Sequence, residues 1–481
     1  MNSIVVICTF IVFLALFLWI GAIAAKYSSN TEEDYLLGNR SFGKYFVGLS
    51  AGATNFSGAL MTARVGFGYT TGLIGLLMIL SFILADIIFW NLFPERINRI
   101  SRTQNSQTVP EFLGANFSQP QHRRLIATIV ALLTIIFVGA YSVAQFSASA
   151  KILEIFFGLN REWGVFITAA LILAYCITGG IRASIWTDVV QAIIAIFVAY
   201  GMVITVTITG GGFTEIIAQL KQIEPQMLSL VGDLNWWQTI LYLTGFAALT
   251  FGFNLSQPQF IVRLMAGSSP QEAKQAGWIY MLFGYSTAIA MTLFGIICRI
   301  LIPNISDPEQ ALPIYAMQNF PPILVGIVLA GFFSMMASTA DSQILVCSSA
   351  LGRDIFPAWH HKMARKYGVK FQQFMTLLVG IFVVILTLST SSTVFTLVFF
   401  ASGGLAGSIG PAMFITLIGR RTHYLALSSM MLVGLCTGLG WRLLEFNTLL
   451  NETVPAFLVA LITHEVLMKS RFKQKSGDVG C

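Results

Sequence analysis

The sequence predicts an all-α polytopic membrane protein of about thirteen helices, ten of them in two five-helix blocks that run in opposite senses across the bilayer. Three observations carry that expectation. Of 481 residues, 56% are hydrophobic and 10% charged, with 39 Phe, whereas an ordinary globular domain has about 25% charged residues. The apolar residues gather in runs near the ~20 residues that a bilayer needs. Two of those runs, in corresponding positions of the two blocks, are interrupted by Gly, Pro and amide side chains.

Residues 4–25 form the first run. Ala22-Ile23-Ala24 resembles a signal-peptidase site at its end, but Met-Asn-Ser before the run carries no positive charge and Lys26 follows it. The segment is therefore expected to remain as a peripheral helix, residues 1–25, with the N-terminus outside. The first block spans 42–210, with runs at about 42–69, 71–98, 123–152, 162–179 and 184–210. The second spans 236–419, with runs at about 236–265, 275–301, 319–352, 372–391 and 394–419. Two further helices, at about 423–442 and 453–470, occupy 423–470, and 471–481 is expected to be a cytoplasmic tail.

With the N-terminus outside and thirteen crossings, 22 of the 28 basic residues fall on the cytoplasmic side, among them Arg40, Arg96, Arg102, Arg182, Arg263, Arg353 and Arg420. That asymmetry supports both the count and the orientation. It also accounts for the net charge of +7 without nucleic acid as a partner; the lipid bilayer is the partner that composition implies. The five His all lie in or next to polar segments, and the six Cys are scattered with no CxxC spacing. Neither a buried metal centre nor a disulfide framework is implied. Interior carboxylates are spread over several helices, so no acid, base and nucleophile converge as an enzyme requires, and no cofactor is expected.

The interrupted runs differ from the rest. The first reads GLSAGATNFSGALMTARVGFGYT, with Gly52 and Gly58 around Thr54-Asn55; the second carries Gly245, Gly252 and Asn254, then Gln257-Pro258. Broken helices in corresponding positions of inverted halves point to a transporter site near mid-membrane. Close helix packing through Gly is the plain alternative.

A third stretch, Gly331 to Phe356, carries Ser338, Asp341 and Ser342 at i, i+3 and i+4, one face of a helix. Hydroxyls that bond back one turn need no ligand. An intramembrane carboxylate points instead to an ion or proton pathway.

Taken together, LGNRSFGKYFVGLSAGATNFSG (37–58), TVPEFL (108–113), GGIRASIWTDVVQA (179–192), SQPQFIVRLMA (256–266), ASTADSQILVCSSALGRDIF (337–356) and ASGGLAGSIGPAMF (401–414) resemble the sodium:solute symporter family, within it most nearly the bacterial sodium/proline symporters. The resemblance implies a leucine-transporter-like core of 5+5 inverted repeats. It implies sodium as the coupling ion, held by carbonyls of Ala53 and Phe56 on the first broken helix and by Met335, Ser338 and Thr339 on the ninth segment. Small hard cations take oxygen ligands, and an unwound helix supplies carbonyls without adding buried charge. By the same analogy Asp188, Ser338, Asp341 and Ser342 form a second sodium site, with a helix-start carboxylate as the alternative for Asp188. Arg40 matches a loop arginine linked to coupling, with a topology-setting arginine as its alternative.

The implied function is sodium-coupled import of a small organic solute, proline or another amino acid or carboxylate, across the inner membrane. Pantothenate, sialic acid or sugar-like solutes, proton coupling and a membrane sensor are the alternatives. Asn55, Ser57, Arg64, Gln145, Thr250, Asn254 and Gln257 are the candidate solute contacts. Two departures bear on the solute. Asn55 stands where proline symporters carry Asp, with Asp86 expected at similar depth on the next helix. Thr250 and Asn254 stand where they carry aromatic residues. Arg64 either pairs with a solute carboxylate or snorkels to the outer surface.

Overall fold

The computed structural model describes residues 3–390, 394–446 and 450–477. The end of the expected tail, 478–481, lies outside the described residues. Among those described, eleven helices are long and apolar enough to cross a membrane.

The chain opens with α1 (Ser3–Lys26), apolar on every face and closed by Lys26. The first block follows as α2 (Lys44–Phe56), α3 (Ala63–Thr71), α4 (Ile74–Leu92), α5 (Pro120–Leu133), α6 (Gly139–Phe157) and α7 (Arg161–Thr209). The second is α8 (Trp236–Ser256), α9 (Pro258–Ala266), α10 (Pro270–Leu301), α11 (Pro322–Ser349), α12 (Val369–Ser389) and α13 (Val394–Leu417), and α14 (Tyr424–Leu443) and α15 (Thr453–Gly477) complete the chain.

Two interruptions and one bend shape these helices, and the α2–α3 pair and the bend in α7 bring eleven long helices to thirteen segments. α2 and α3 are two halves of one interrupted crossing, each too short to span alone. Their junction, Ser57, has φ 52° and ψ −171°, a strained region for a residue with a Cβ, of the kind found at functional sites. α8 and α9 are divided at Gln257, whose backbone is extended because Pro258 follows. α7 has 49 residues, far longer than a bilayer needs. It bends at Gly180 (φ 53°, ψ −141°), where Tyr35 packs against the bare Cα, and so supplies two crossings. The sequence places these two on either side of 179–184. α5 and α6, in contrast, continue into one another through a π-helical turn, Thr134–Val138.

α11 lies at the centre. From Val328 to Ser349 every residue is buried, against α1, α2, α6, α7, α9 and α12. The two broken helices meet end to end. Phe42, just before α2, pairs with Gly267, just after α9, through Phe42 N–H to Ala266 O (3.3 Å) and Ser268 N–H to Phe42 O (2.8 Å). The start of one and the end of the other thus lie at the same depth, as two helices inverted with respect to each other require.

One residue stands elsewhere than its sequence suggests. Arg263, grouped above with the cytoplasmic basic residues, is fully buried. Pro258 restarts the helix, and the new register turns Arg263 inward toward two carboxylates.

Candidate functional site

The last four carbonyls of α2, from Ala53 to Phe56, have no amide further along the helix to receive them. α11 faces them with hydroxyls. Ser338 Oγ lies 3.2 Å from Ala53 O and 3.0 Å from Met335 O. Thr339 Oγ1 lies 3.1 Å from Met335 O, 3.2 Å from Thr54 O and 3.4 Å from Ala53 O. These separations match the edges of an oxygen cage around a cation bonded at about 2.3–2.6 Å, the range for calcium, whose radius sodium shares. Every group in the cage is neutral and buried. The Phe56 side chain turns away, its ring 5.2 Å from Tyr280 and 5.4 Å from Tyr285 on α10.

Behind this cage stands a charged cluster. Asp341 accepts from Tyr175 (3.0 Å), Ser184 (2.9 Å) and Ser342 (2.8 Å). Asp188 accepts from Ser50 (2.6 Å) through one oxygen, while the other has no partner among the described residues. Ser342 Oγ also donates to Ser338 O at 2.6 Å, so the cluster and the cage share a turn of α11. Between the two carboxylates lies Arg263. Its guanidinium donates to Ser184 (2.6 Å), Ser342 and Gln259 O (3.0 Å), and stands 3.5 Å from Asp188 and 3.9 Å from Asp341. Asp188, Asp341 and Ser342 therefore lie together around a cation the protein supplies itself.

A third group joins the two broken helices. Asn55 donates to Asn254 (3.0 Å) and to the Tyr280 hydroxyl (2.6 Å), and accepts from Gln257 (2.6 Å). Gln257 in turn accepts from Gln259 at 2.9 Å. Asn254 passes the chain to Asp86, which also accepts from Tyr285. Asn55 and Asp86 thus meet through Asn254 at one level of the membrane.

The other candidates lie around the break. Ser57 forms it, and Gln145 on α6 faces Gly58 with its carbonyl oxygen unpaired. Thr250 sits one turn before Asn254, half-buried. Arg64 on α3 places its guanidinium 4.7 Å from the Phe82 ring. An open cavity of about 400 Å³ is lined in part by Thr62, Ser147, Lys151, Glu309 and Met336, of which Met336 also borders Gly58 at the break; Lys151 and Asp307 form an ion pair of 2.8 Å beside it. Arg40 is remote from the cage. It donates to Ser101 Oγ (2.7 Å), Ser106 O (2.8 Å) and Met265 O (3.4 Å), which ties the loop before α2 to the end of α9. Burial, with Arg102 beside it, lowers its pKa.

Sequence reasoning missed Arg263, Ser50, Tyr175, Ser184, Tyr280 and Tyr285. For Arg263 a signal was present: it is flanked on both sides by apolar residues, IVRLM, which a solvated arginine rarely is. The tyrosines and serines carry no such mark in an apolar helix.

The model of the sodium:solute symporter family matches residues 35–434. The chain is 29% identical over 466 residues to the sodium/proline symporter of Escherichia coli (strain K12), covering 94% of this chain and 91% of that one. It is 30% identical over 455 residues to the high-affinity proline transporter PutP of Bacillus subtilis (strain 168), covering 93% and 94%. Among solved structures, the substrate-bound outward-open state of a Na+-coupled sialic acid symporter matches at TM-score 0.82 and 18% identity, over 96% and 97% of the two chains. A manganese transporter of Eremococcus coleocola matches at TM-score 0.53 and 14% identity, over 88% and 94%. At these identities the two structures speak for the fold alone. With its family match running from before the first broken helix to beyond α13, the chain belongs to the sodium:solute symporter family.

Proposed function

We propose that the protein imports a small amino acid, proline foremost, with sodium across the inner membrane, its N-terminus outside and its C-terminus cytoplasmic. The observation that carries this reading is the neutral oxygen cage joining Ala53 on α2 to Met335, Ser338 and Thr339 on α11, with Phe56 completing the set. Sodium in that cage holds the broken helix against the central one. Solute then meets an ordered break and binds more tightly, and by linkage it raises sodium affinity equally. Rocking of the core against the remaining helices releases both inside. Homology to proline transporters over nearly the whole chain supports the solute.

In the second cluster, of Asp188, Asp341 and Ser342, Arg263 supplies the positive charge that an additional sodium would bring. Sodium enters there only when the guanidinium leaves. Asn55, Ser57, Arg64, Gln145, Thr250, Asn254 and Gln257 surround the solute, and Arg40 links the ends of the broken helices during rocking.

The test is uptake of radiolabelled proline and a broad solute panel into proteoliposomes. An inward sodium gradient is expected to drive accumulation that potassium does not. No sodium-dependent accumulation of any solute would sink the reading. Uptake that ignores sodium and follows a pH gradient would turn it toward proton coupling through Asp86 or Asp341.

A further inference from the structure

Two opposite charges near the break have no charged partner among the described residues. Asp86 is fully buried on α4. It accepts from the Asn254 amide and the Tyr285 hydroxyl. Both donors are neutral. A carboxylate offers about four lone-pair sites, so about two remain. Arg64, half-buried on α3, makes no hydrogen bond or ion pair among the described residues. Its guanidinium stands over Phe82, within electrostatic reach of the Tyr285 and Tyr242 hydroxyls. This is an aromatic recess within the bundle: Phe82 and Tyr242 both pack against Phe246, with centroids 5.8 and 4.7 Å apart. The Tyr242 hydroxyl is itself buried without a partner among the described residues.

Unpaired charges at membrane depth are costly. Leaving both unpaired is costly twice, unless a ligand pairs them. Phe82, under the guanidinium, is four residues from Asp86 on α4, about 6 Å along the axis, and the Tyr285 hydroxyl that bonds to Asp86 lies within electrostatic reach of Arg64. Both charges thus border one space, which a small molecule with one group of each sign would join. The donors around Asp86 also speak against a metal ion. Two of its neighbours present hydrogens, and the lone pairs left over fit the N–H groups of a cation.

We propose that Asp86 binds the protonated nitrogen of a zwitterionic α-amino or α-imino acid, and that Arg64 binds its carboxylate. This rests on the amino-acid reading of the solute. The carboxylate on α4 then brings a negative charge beside the neutral Asn55, with Asn254 bonded to both. Loading the site closes two unpaired charges at once, so a solute with only one of its charged groups leaves the other protein charge buried and alone.

The test uses purified protein in sodium buffer, with radiolabelled proline as the probe. Competitors are tetrahydrofuran-2-carboxylate, which lacks the charged nitrogen, and pyrrolidine, which lacks the carboxylate. Wild type is expected to prefer proline over each by about 100-fold or more, since a site built to bond a polar group rejects the analogue without it. Asp86→Asn is expected to lose most of its proline affinity and to narrow the preference over tetrahydrofuran-2-carboxylate to a few-fold. Arg64→Gln is expected to do the same for pyrrolidine. Both variants should keep the sodium-induced rise in Tm, which reads the separate cage and shows that they fold. If wild type binds proline but accepts tetrahydrofuran-2-carboxylate equally, the proposal is overturned, and that comparison needs no variant. Undiminished proline affinity in Asp86→Asn also overturns it, whether or not proton-driven uptake is lost. A sodium-induced rise in Tm without binding of any amino acid would remove the amino-acid reading and this proposal together.

Discussion

At the scale of single residues, the question is which hydroxyls of α11 act on an ion and which merely satisfy themselves. Ser334 and Ser338 sit one turn apart on the same buried helix. Ser334 Oγ bonds back to Ala330 O at 2.6 Å and to nothing else among the described residues, the behaviour of an ordinary serine in a membrane helix. Ser338 and Thr339 also reach across to α2. Ser338→Ala with Thr339→Ala should therefore raise the sodium concentration for half-maximal uptake by at least about tenfold, at about 1.5–3 kcal/mol for each contact to a charge. Ser334→Ala should leave it unchanged. The measurement is the sodium dependence of initial uptake rates at fixed solute, and equal half-saturation in the double variant and wild type would reject the cage.

At the scale of elements, the interrupted crossing is held in place by glycines that let backbones touch. A Cβ on Gly48 would stand 2.6 Å from Ala276 O, one on Gly52 2.6 Å from the Phe283 ring, and one on Gly68 3.0 Å from the Thr292 carbonyl carbon. From α10, a Cβ on Gly295 would stand 2.9 Å from the Val65 carbonyl carbon. At Gly68 the obstacle is backbone, which cannot rotate aside. Gly68→Ala is expected to lower Tm in detergent by several degrees, consistent with an overpacking cost of about 1–3 kcal/mol. Gly201→Ala, on α7 with nothing within 4 Å, is the control and should be neutral or slightly stabilising. A Gly68→Ala protein as stable as the control would show that the two helices are not in fixed contact. The broken helices were legible in the sequence from Gly52, Gly58, Gly245 and Gly252 with Thr54-Asn55, Asn254 and Gln257-Pro258: each mark of an interruption is local. The division between the runs 162–179 and 184–210 was legible as well, though the bend at Gly180 that makes it was not. The partners across the interruption were not, because a tyrosine or serine in an apolar run reads the same whether it faces lipid or a carboxylate. Asp86 and Asp341 were visible as costly residues; Tyr285, Tyr280 and Ser184, which make them tolerable, were not.

At the scale of the whole molecule, the charge buried in the second cluster bears on how many sodium ions move per cycle. Two carboxylates and one guanidinium leave a formal charge of −1 around Ser342, and removing one partner from such a cluster is costlier than keeping it whole. An additional sodium would have to stand close to a guanidinium already bonded to Ser184, Ser342 and Gln259. Arg263 lies on α9, the second half of a broken helix, while Asp188 and Asp341 lie on α7 and α11. Rocking that separates α9 from the other two would open the cluster only on the way to release. The expected stoichiometry is therefore one sodium per solute. It is read in proteoliposomes by imposing a membrane potential and finding the solute gradient at which net flux stops. For a neutral zwitterion carried with one sodium, the balancing solute ratio changes about tenfold for each 59 mV. A hundredfold change over the same interval would mean two sodium ions, and would show that Arg263 gives up its place before solute binds. Asp341→Asn sharpens the measurement: it leaves Arg263 and Asp188 as a neutral pair, so the ratio should stay at one even if transport slows.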